Sequence, residues 1–267
     1  MPEPLSASNA RLKELRKLSR RSVRTERRLF LADGPKAVEG ALGVPGCVIE
    51  VFATPAAAMR YAGVLGDAPV TLVDDRALAG LSDSVTPAGV VALCRFLAER
   101  SPMAPREVSD GPSRGPESTL VAICADVRDP GNAGTVIRCA DAAGADAVVL
   151  AGDSVDLYNP KTVRASVGSL FHLPVVVEPD PAAAVRRAQQ AGLTVLAADM
   201  AGESLFETDL SGPTAWLFGN EARGIPAELG DLADRVVSIP IYGRAESLNL
   251  STAAAVCLYA SACAQRR

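Results

Sequence analysis

The sequence contains one histidine, His172, and its six cysteines (Cys47, Cys94, Cys124, Cys139, Cys257 and Cys263) are dispersed with no CxxC pair. A multi-histidine metal centre is therefore unavailable and metal-assisted hydrolysis is disfavoured. With mostly apolar neighbours, the thiols read as reduced core residues. No apolar run approaches the roughly 20 residues that a membrane-spanning helix needs. Residues 1–18, MPEPLSASNARLKELRKL, are charged where a signal peptide would have its apolar region. These features predict a cytoplasmic protein with no membrane partner and no metal. Neither GxGxxG nor a GKS/T phosphate loop follows any strand-like run, which disfavours a dinucleotide or nucleoside triphosphate and with it an oxidoreductase of Rossmann type. No internal repeat is evident.

What is present is a 267-residue chain with 48% hydrophobic residues, enough for one large domain or two modest ones. The net charge of −4 conceals an uneven distribution. Residues 1–36 hold ten Lys or Arg against four acids, a local +6, so residues 37–267 carry −10. Such an end attracts polyanions, with an affinity that falls as salt rises. Residues 8–28 lack Pro and Gly, and Leu12, Leu15 and Leu18 recur at helical spacing among the basic residues, predicting one amphipathic helix with a cationic outer face.

After that helix, RLFLADGPKAVEGAL reads as a strand, a turn near Asp33 and Gly34, and a helix. CVIEVFAT, APVTLVDD and GVVALCRF read as strands, with a helical piece at 55–65, which makes residues 1–98 a small α/β domain. Residues 99–118, with four prolines and no hydrophobic period, read as a flexible linker. From 119 to 267 the pattern is parallel α/β, with six strands (TLVAICADV, ADAVVLAG, LPVVVE, LTVLAAD, TAWLFGN, RVVSIPI) and intervening helices. These include NPKTVRASVGSLF and DPAAAVRRAQQAG, the latter with Asp180 as N-cap, Pro181 at the first position and Gly192 as its stop. The closing segment, residues 239–260, stops at Pro240 and opens an alanine-rich helix behind Ser247, Asn249 and Ser251. Ser247 reads as an N-cap, as part of a ligand site, or both.

Ligands of open α/β sheets bind outside the carboxyl ends of the strands. Three polar segments follow strands here: DVRDPGNAGTVIRCADAAG (126–144), LFGNEARGIP (217–226) and IPIYGRAESLNLS (239–251). In order and spacing they resemble the three signature motifs of the SpoU (TrmH-like) RNA ribose 2′-O-methyltransferases of the SPOUT superfamily. Asn132, Arg138 and Gly144 carry the first motif. Phe218, Gly219, Asn220, Glu221 and Gly224 carry the second, and Ile239, Pro240, Gly243, Ser247, Leu248, Asn249 and Ser251 the third. Upstream, FLADGPKAVEGAL is similar to the start of the family's substrate-binding domain, itself like small ribosomal RNA-binding proteins, with Asp33 where family members often have Glu.

The resemblance implies an α/β fold in which a mostly parallel sheet with helices on both faces contains a deep trefoil knot. It also implies a homodimer through the C-terminal domain and S-adenosyl-L-methionine as cofactor. The cofactor would be held by Leu196, Ala197, Ala198, Leu217, Phe218, Gly219, Ile239, Ile241, Ser247 and Leu248, with Gly219 allowing close backbone approach. Arg138 is implied as the catalytic residue, either as general base or as an orienting and charge-stabilising group, with Asn132, Glu221, Ser247 and Asn249 around it. Arg16, Lys17, Arg20, Arg21, Arg24, Arg27 and Arg28 of the basic segment, and Arg164, are the expected RNA contacts. The substrate implied is structured RNA, with ribosomal RNA favoured by the extra N-terminal domain. Transfer RNA methylation and a non-catalytic RNA-binding or ribosome-assembly role are the alternatives. His172, between Phe171 and Leu173, reads as a packed or turn residue.

Overall fold

The computed structural model describes residues 3–98 and 119–266. The stretch expected as a linker, 99–118, lies outside the described residues. Two compact units divide the chain: Met1–Ala98 with Tyr158–His172, and Glu99–Leu157 with Leu173–Arg267. Residues 158–172, placed by chain order in the C-terminal domain, thus belong by packing to the first unit.

The first unit begins with helix α1 (Ala10–Arg16), a 3-10 turn (Lys17–Ser19) and helix α2 (Arg21–Arg27). Leu12, Leu15 and Leu18 are buried against Leu31, Phe52, Leu78 and Leu93, as their spacing predicts. The single helix expected over 8–28 is broken, because Arg20 is extended at φ −90°, ψ 131°. Arg24 stabilises the break. Arg24 is 2% exposed, and its guanidinium donates to the carbonyls of Leu18 and Ser19, each at 2.8 Å, satisfying acceptors that a helix end leaves open.

Strands β1 (Leu29–Asp33), β2 (Val48–Ala53), β3 (Val70–Leu72) and β4 (Val90–Arg95) form a sheet in the order β1-β4-β2-β3, with β4 antiparallel to both β1 and β2. Helix α3 (Pro35–Leu42) follows β1, α4 (Pro55–Arg60) and α5 (Ala62–Leu65) follow β2, and α6 (Asp75–Ala79) follows β3. The segment Tyr158–His172 completes this unit with aromatic contacts. The Tyr158 ring lies 3.9 Å from Phe96 and 4.5 Å from Phe30, its hydroxyl accepts from Leu97 N at 2.9 Å, and Phe171 stacks 6.2 Å from Phe30.

The second unit is a sheet of six parallel strands: β5 (Leu120–Ala125), β6 (Ala147–Ala151), β7 (Val175–Glu178), β8 (Thr194–Ser204), β9 (Thr214–Phe218) and β10 (Arg235–Ser238), in the order β10-β8-β9-β5-β6-β7. The central strands β5, β9 and β6 are fully buried apolar runs, as expected where a sheet is covered on both faces, whereas β7, β8 and β10 are partly exposed. Helix α7 (Pro130–Ala143) follows β5, and α8 (Pro160–Ala165) lies in the segment that joins the first unit. The helix expected over NPKTVRASVGSLF stops at Ala165 because Val167 and Gly168 take positive φ of 52° and 95°. A 3-10 turn at Ser169–Phe171 follows, with His172 closing it.

Helix α9 (Pro181–Gln190) has Asp180 as N-cap, and its Ala184, Val185 and Ala188 pack on Val121, Ile123, Val149, Val195 and Leu217. A short helix α10 (Ala227–Gly230) precedes β10, and α11 (Leu250–Ala264) closes the chain. On the face opposite α9, the fully buried Trp216 donates from Nε1 to Ser261 Oγ of α11 at 2.9 Å.

Candidate active site

Because the six strands are parallel, the loops after β5, β9 and β10 open at one sheet edge, and these loops carry the three polar segments. The first is shaped by Asp126, whose φ of 54° is a left-handed value that Asp tolerates better than most residues. Its Oδ1 accepts from Asp153 N at 2.7 Å and its carbonyl accepts from Asn220 Nδ2 at 2.7 Å, so the loop after β5 is bonded to the loop after β9. Asp129 caps α7, accepting from Asn132 N at 2.8 Å, and Pro130 opens the helix.

Glu221 ties the same loops together. Its carboxylate accepts from Arg128 N at 3.2 Å, Asp129 N at 3.1 Å and Asn132 Nδ2 at 3.2 Å. Burial acts to raise its pKa, but the bonds from its own backbone amide, the Asn132 amide and the Asp129 and Arg128 N–H groups outweigh burial, and the result lies below the usual carboxylate value. Asn249 brings in the third segment, donating from Nδ2 to Asn132 Oδ1 at 3.1 Å. A relay Asn249, Asn132, Glu221 therefore joins all three polar segments through side chains alone. Beneath it Cys124 is fully buried, which pushes its thiol pKa to about 12, with the Glu221 charge adding to the effect.

The other site residues fall outside this relay. Arg138 is exposed on α7 and makes no hydrogen bond or ion pair among the described residues. Ser247 is exposed and does not cap α11; Asn249 does, accepting at Oδ1 from Ser251 N at 2.9 Å. Leu196, Ala197, Leu217 and Phe218 turn their side chains into the core, each at most 1% exposed, so only their backbone is open to a ligand. Ala198 is half-buried at the point where β8 leaves its regular register with β10.

Gly219 is also required by the loop's own packing. A Cβ there would lie 2.2 Å from Gly224 C and 2.3 Å from its oxygen, so the missing side chain admits the loop's own backbone. Ile239 is half-buried. Residues 241–248 are all exposed, take part in no hydrogen bond among the described residues, and include the apolar Ile241 and Leu248. Among the described residues no group of three or more His, Cys, Asp or Glu could hold a metal ion.

The sequence profile of the SpoU rRNA Methylase family matches residues 119–259. The chain belongs to this family. A second profile, the MRM3-like substrate binding domain, matches residues 9–92 of this SpoU protein. It is 34% identical over 255 residues to the 23S rRNA (guanosine(2553)-2′-O)-methyltransferase RlmP of Bacillus subtilis (strain 168), covering 95% of this chain and 96% of that one. To the 23S rRNA (uridine(2479)-2′-O)-methyltransferase of Streptomyces viridochromogenes it is 43% identical over 136 residues, 49% of this chain and 47% of that one. Among solved structures, an RNA 2′-O ribose methyltransferase superposes with TM-score 0.82 at 31% identity, covering 99% of both chains. The SpoU methyltransferase AviRb from Streptomyces viridochromogenes, in complex with AdoMet, does so with TM-score 0.81 at 30% identity, covering 95% of this chain and 98% of that one.

The basic residues of the SpoU protein's first unit divide into engaged and free groups. Arg24 is buried, which removes it from the expected RNA contacts. Arg16 donates to the Ala7 carbonyl at 3.1 Å and packs where a Gly80 side chain would stand. Lys17 and Arg27 both pair with Glu14, at 2.6 and 3.0 Å, and Arg28 lies over the Phe96 ring at 4.8 Å. Arg20 and Arg21 are exposed with no ion pair among the described residues.

Arg164 is held by Asp83 at 3.1 Å and Asp33 at 3.8 Å. Asp33, 5% exposed, also accepts from Ser82 Oγ at 2.6 Å, so this position serves packing. A cavity of about 220 Å³ in this unit is lined by Lys36, Ser84, Thr86 and Arg164 among others, and it includes none of the relay residues.

Proposed function

We propose that this SpoU protein transfers a methyl group from S-adenosyl-L-methionine to a ribose 2′-hydroxyl of ribosomal RNA. The observation that carries the reading is the Asn249, Asn132, Glu221 relay, which joins three segments far apart in sequence at the carboxyl edge of a parallel sheet. Ribosomal RNA is favoured over transfer RNA by the substrate-binding profile over residues 9–92 and by the similarity to RlmP.

The cofactor fits the edge formed by the ends of β8, β9 and β10. There the backbone of residues 241–248 has hydrogen-bonding capacity to spare, and Ile241 and Leu248, each 37% exposed, offer apolar surface to an adenosyl group. The strand ends at Leu196, Ala197, Ala198, Leu217, Phe218 and Gly219, with Ile239 and Ser247, complete the binding set. When bound, the cofactor supplies an electrophilic methyl group on a sulfonium.

The protein's task is then to hold a ribose hydroxyl in line and favour its charge as the proton leaves. Glu221 is a poor base, since donors from Arg128, Asp129, Asn132 and Asn220 already occupy its carboxylate and its pKa is held down; it fixes the Asn132 amide instead. Arg138 offers a planar, exposed guanidinium, a group suited to stabilising developing charge or positioning a phosphate. Ser247, free of structural bonds, hydrogen-bonds the ribose.

Threading of the C-terminal segment into a trefoil knot and dimerisation through the C-terminal unit belong to the same proposal. The family resemblance carries the first, and the apolar α11 with Tyr259 47% exposed supports the second. Basic residues of the first unit, led by Arg20 and Arg21, recruit the RNA in the cytoplasm. Transfer of labelled methyl from S-adenosyl-L-methionine to total RNA, followed by nucleoside analysis, tests the reading. Methylated ribose in ribosomal RNA is expected, and label confined to bases, or none, overturns it.

A further inference from the structure

Two arginines project from the loops that Asn220 and Glu221 staple together. Arg128 N donates to Glu221 Oε2 at 3.2 Å, and Arg223 N donates to Asn220 Oδ1 at 3.2 Å. Asn220 Nδ2 in turn donates to the Asp126 carbonyl at 2.7 Å, and residues 220 and 224 exchange two backbone bonds of 2.9 Å. Both arginine backbones are thereby fixed within one hydrogen bond of the residues that build the site.

Their side chains are not so fixed. Arg128 is 59% exposed and has one distant partner, Asp153 at 3.6 Å, itself 86% exposed, a contact of little energetic weight. Arg223 is exposed and has no ion pair among the described residues. A cation with a hydrogen-bonded root and at most one weak, exposed internal partner is poised for an anion from outside.

We infer that Arg128 and Arg223 clamp two phosphodiester groups of the RNA strand that carries the reacting ribose. The inference rests on the methyl-transfer reading of this edge and adds to it the residues that set the strand's register there. A planar guanidinium matches phosphate in a bidentate fork, and phosphate contacts position a strand without reading its bases. The division of labour follows: the basic first unit attracts RNA at long range, and this pair registers the strand locally.

The test compares full-length Arg128→Gln, Arg223→Gln and the double variant with Arg128→Lys and Arg223→Lys. Arg186→Gln, an exposed α9 residue away from the site, controls for loss of one positive charge. Binding of transcribed ribosomal RNA is measured across a salt series, and KM and kcat for methyl transfer are measured at one salt concentration. Each Gln variant is expected to weaken RNA binding and raise KM about three- to tenfold, with kcat at saturating RNA changed less than about twofold. The slope of log affinity against log salt should fall by about 0.7 per arginine removed, be kept by the Lys variants, and be untouched in Arg186→Gln.

An unchanged affinity and slope in the double variant overturn the clamp, whether or not methyl transfer is found. Absence of transfer by the unaltered protein overturns the functional reading instead, and the binding series still decides the clamp.

Discussion

Asn249 donates to Asn132 at 3.1 Å while its other amide atom accepts from Ser251 N at 2.9 Å, so one side chain both caps α11 and completes the relay to Glu221. The two tasks use opposite ends of the amide and can be separated. Asp is as good an N-cap as Asn but has no donor. Asn132 could not turn its amide to serve a carboxylate at 249 without aiming its own oxygen at Glu221. Asn249→Asp should therefore keep stability within ~0.5 kcal/mol, yet lower methyl transfer at least about tenfold. Asn249→Ala should lose activity and also about 1 kcal/mol of stability. Chemical unfolding and transfer assays on both variants check this, and full activity in Asn249→Asp would remove the relay from the mechanism.

Glu221 makes a pH prediction whose sign is fixed by its environment. Its folded pKa lies below the ordinary 4.5, so its hydrogen bonds add stability that is fully present above that value and is lost as pH falls through the lowered one. Acid unfolding of the protein should be steeper than that of Glu221→Gln as pH falls below the ordinary carboxylate value of 4.5. Near neutral pH Glu221 stays ionised, so Glu221→Gln should lower methyl transfer by the same factor at every pH from about 6 to 8. A pH-dependent ratio in that range would mean that Glu221 titrates during turnover.

The six strands of the second unit were legible as short segments rich in Val, Leu, Ile and Ala bounded by turn residues, and α9 because Asp180, Pro181 and Gly192 punctuate it. The three site segments were legible as polar loops after strands, and the parallel sheet puts all three at one edge. What local pattern could not reveal were choices decided by distant contacts. Asn249 rather than Ser247 caps α11 while bonding to Asn132, 117 positions earlier. Residues 158–172 join the first unit because Tyr158 and Phe171 find Phe30 and Phe96 there. Two cysteines also depart from the core reading, Cys139 half-buried and Cys263 exposed, because each lies on the outer side of its helix.

Arg24 is the clearest case of a charge whose role the composition misstates. Buried and bonded to the Leu18 and Ser19 carbonyls, it holds the bend between α1 and α2. Arg24→Gln cannot reproduce both bonds and leaves buried acceptors unmet, so it should cost about 1.5–3 kcal/mol. Arg21→Gln, on the exposed face, should stay within about 0.5 kcal/mol while reducing RNA affinity. Urea unfolding and RNA binding should therefore rank the two variants in opposite orders. An Arg24→Gln protein of unchanged stability would return that residue to the RNA-contacting set.

Gly219 and Gly224 face each other across the loop that carries Glu221, and they need to be glycine for different reasons. At 219 a Cβ would stand 2.2 to 2.4 Å from Gly224 C, Gly224 O and Ile225 N, all backbone atoms that the paired loop cannot withdraw. At 224 there is room, the nearest atom being Asp199 Oδ2 at 4.0 Å, but φ is +68°. Gly224→Ala should thus cost only the left-handed penalty, about 1–2 kcal/mol. Gly219→Ala must displace the loop, at about 1–3 kcal/mol, and takes Glu221 with it. The expected discriminator is activity: Gly219→Ala should lose methyl transfer and cofactor affinity together, whereas Gly224→Ala should keep most of both at a lowered melting temperature. Calorimetric titration with S-adenosyl-L-methionine alongside thermal unfolding reads both quantities. Equal retention of cofactor affinity in the two variants would show that the loop's close crossing does not shape the site.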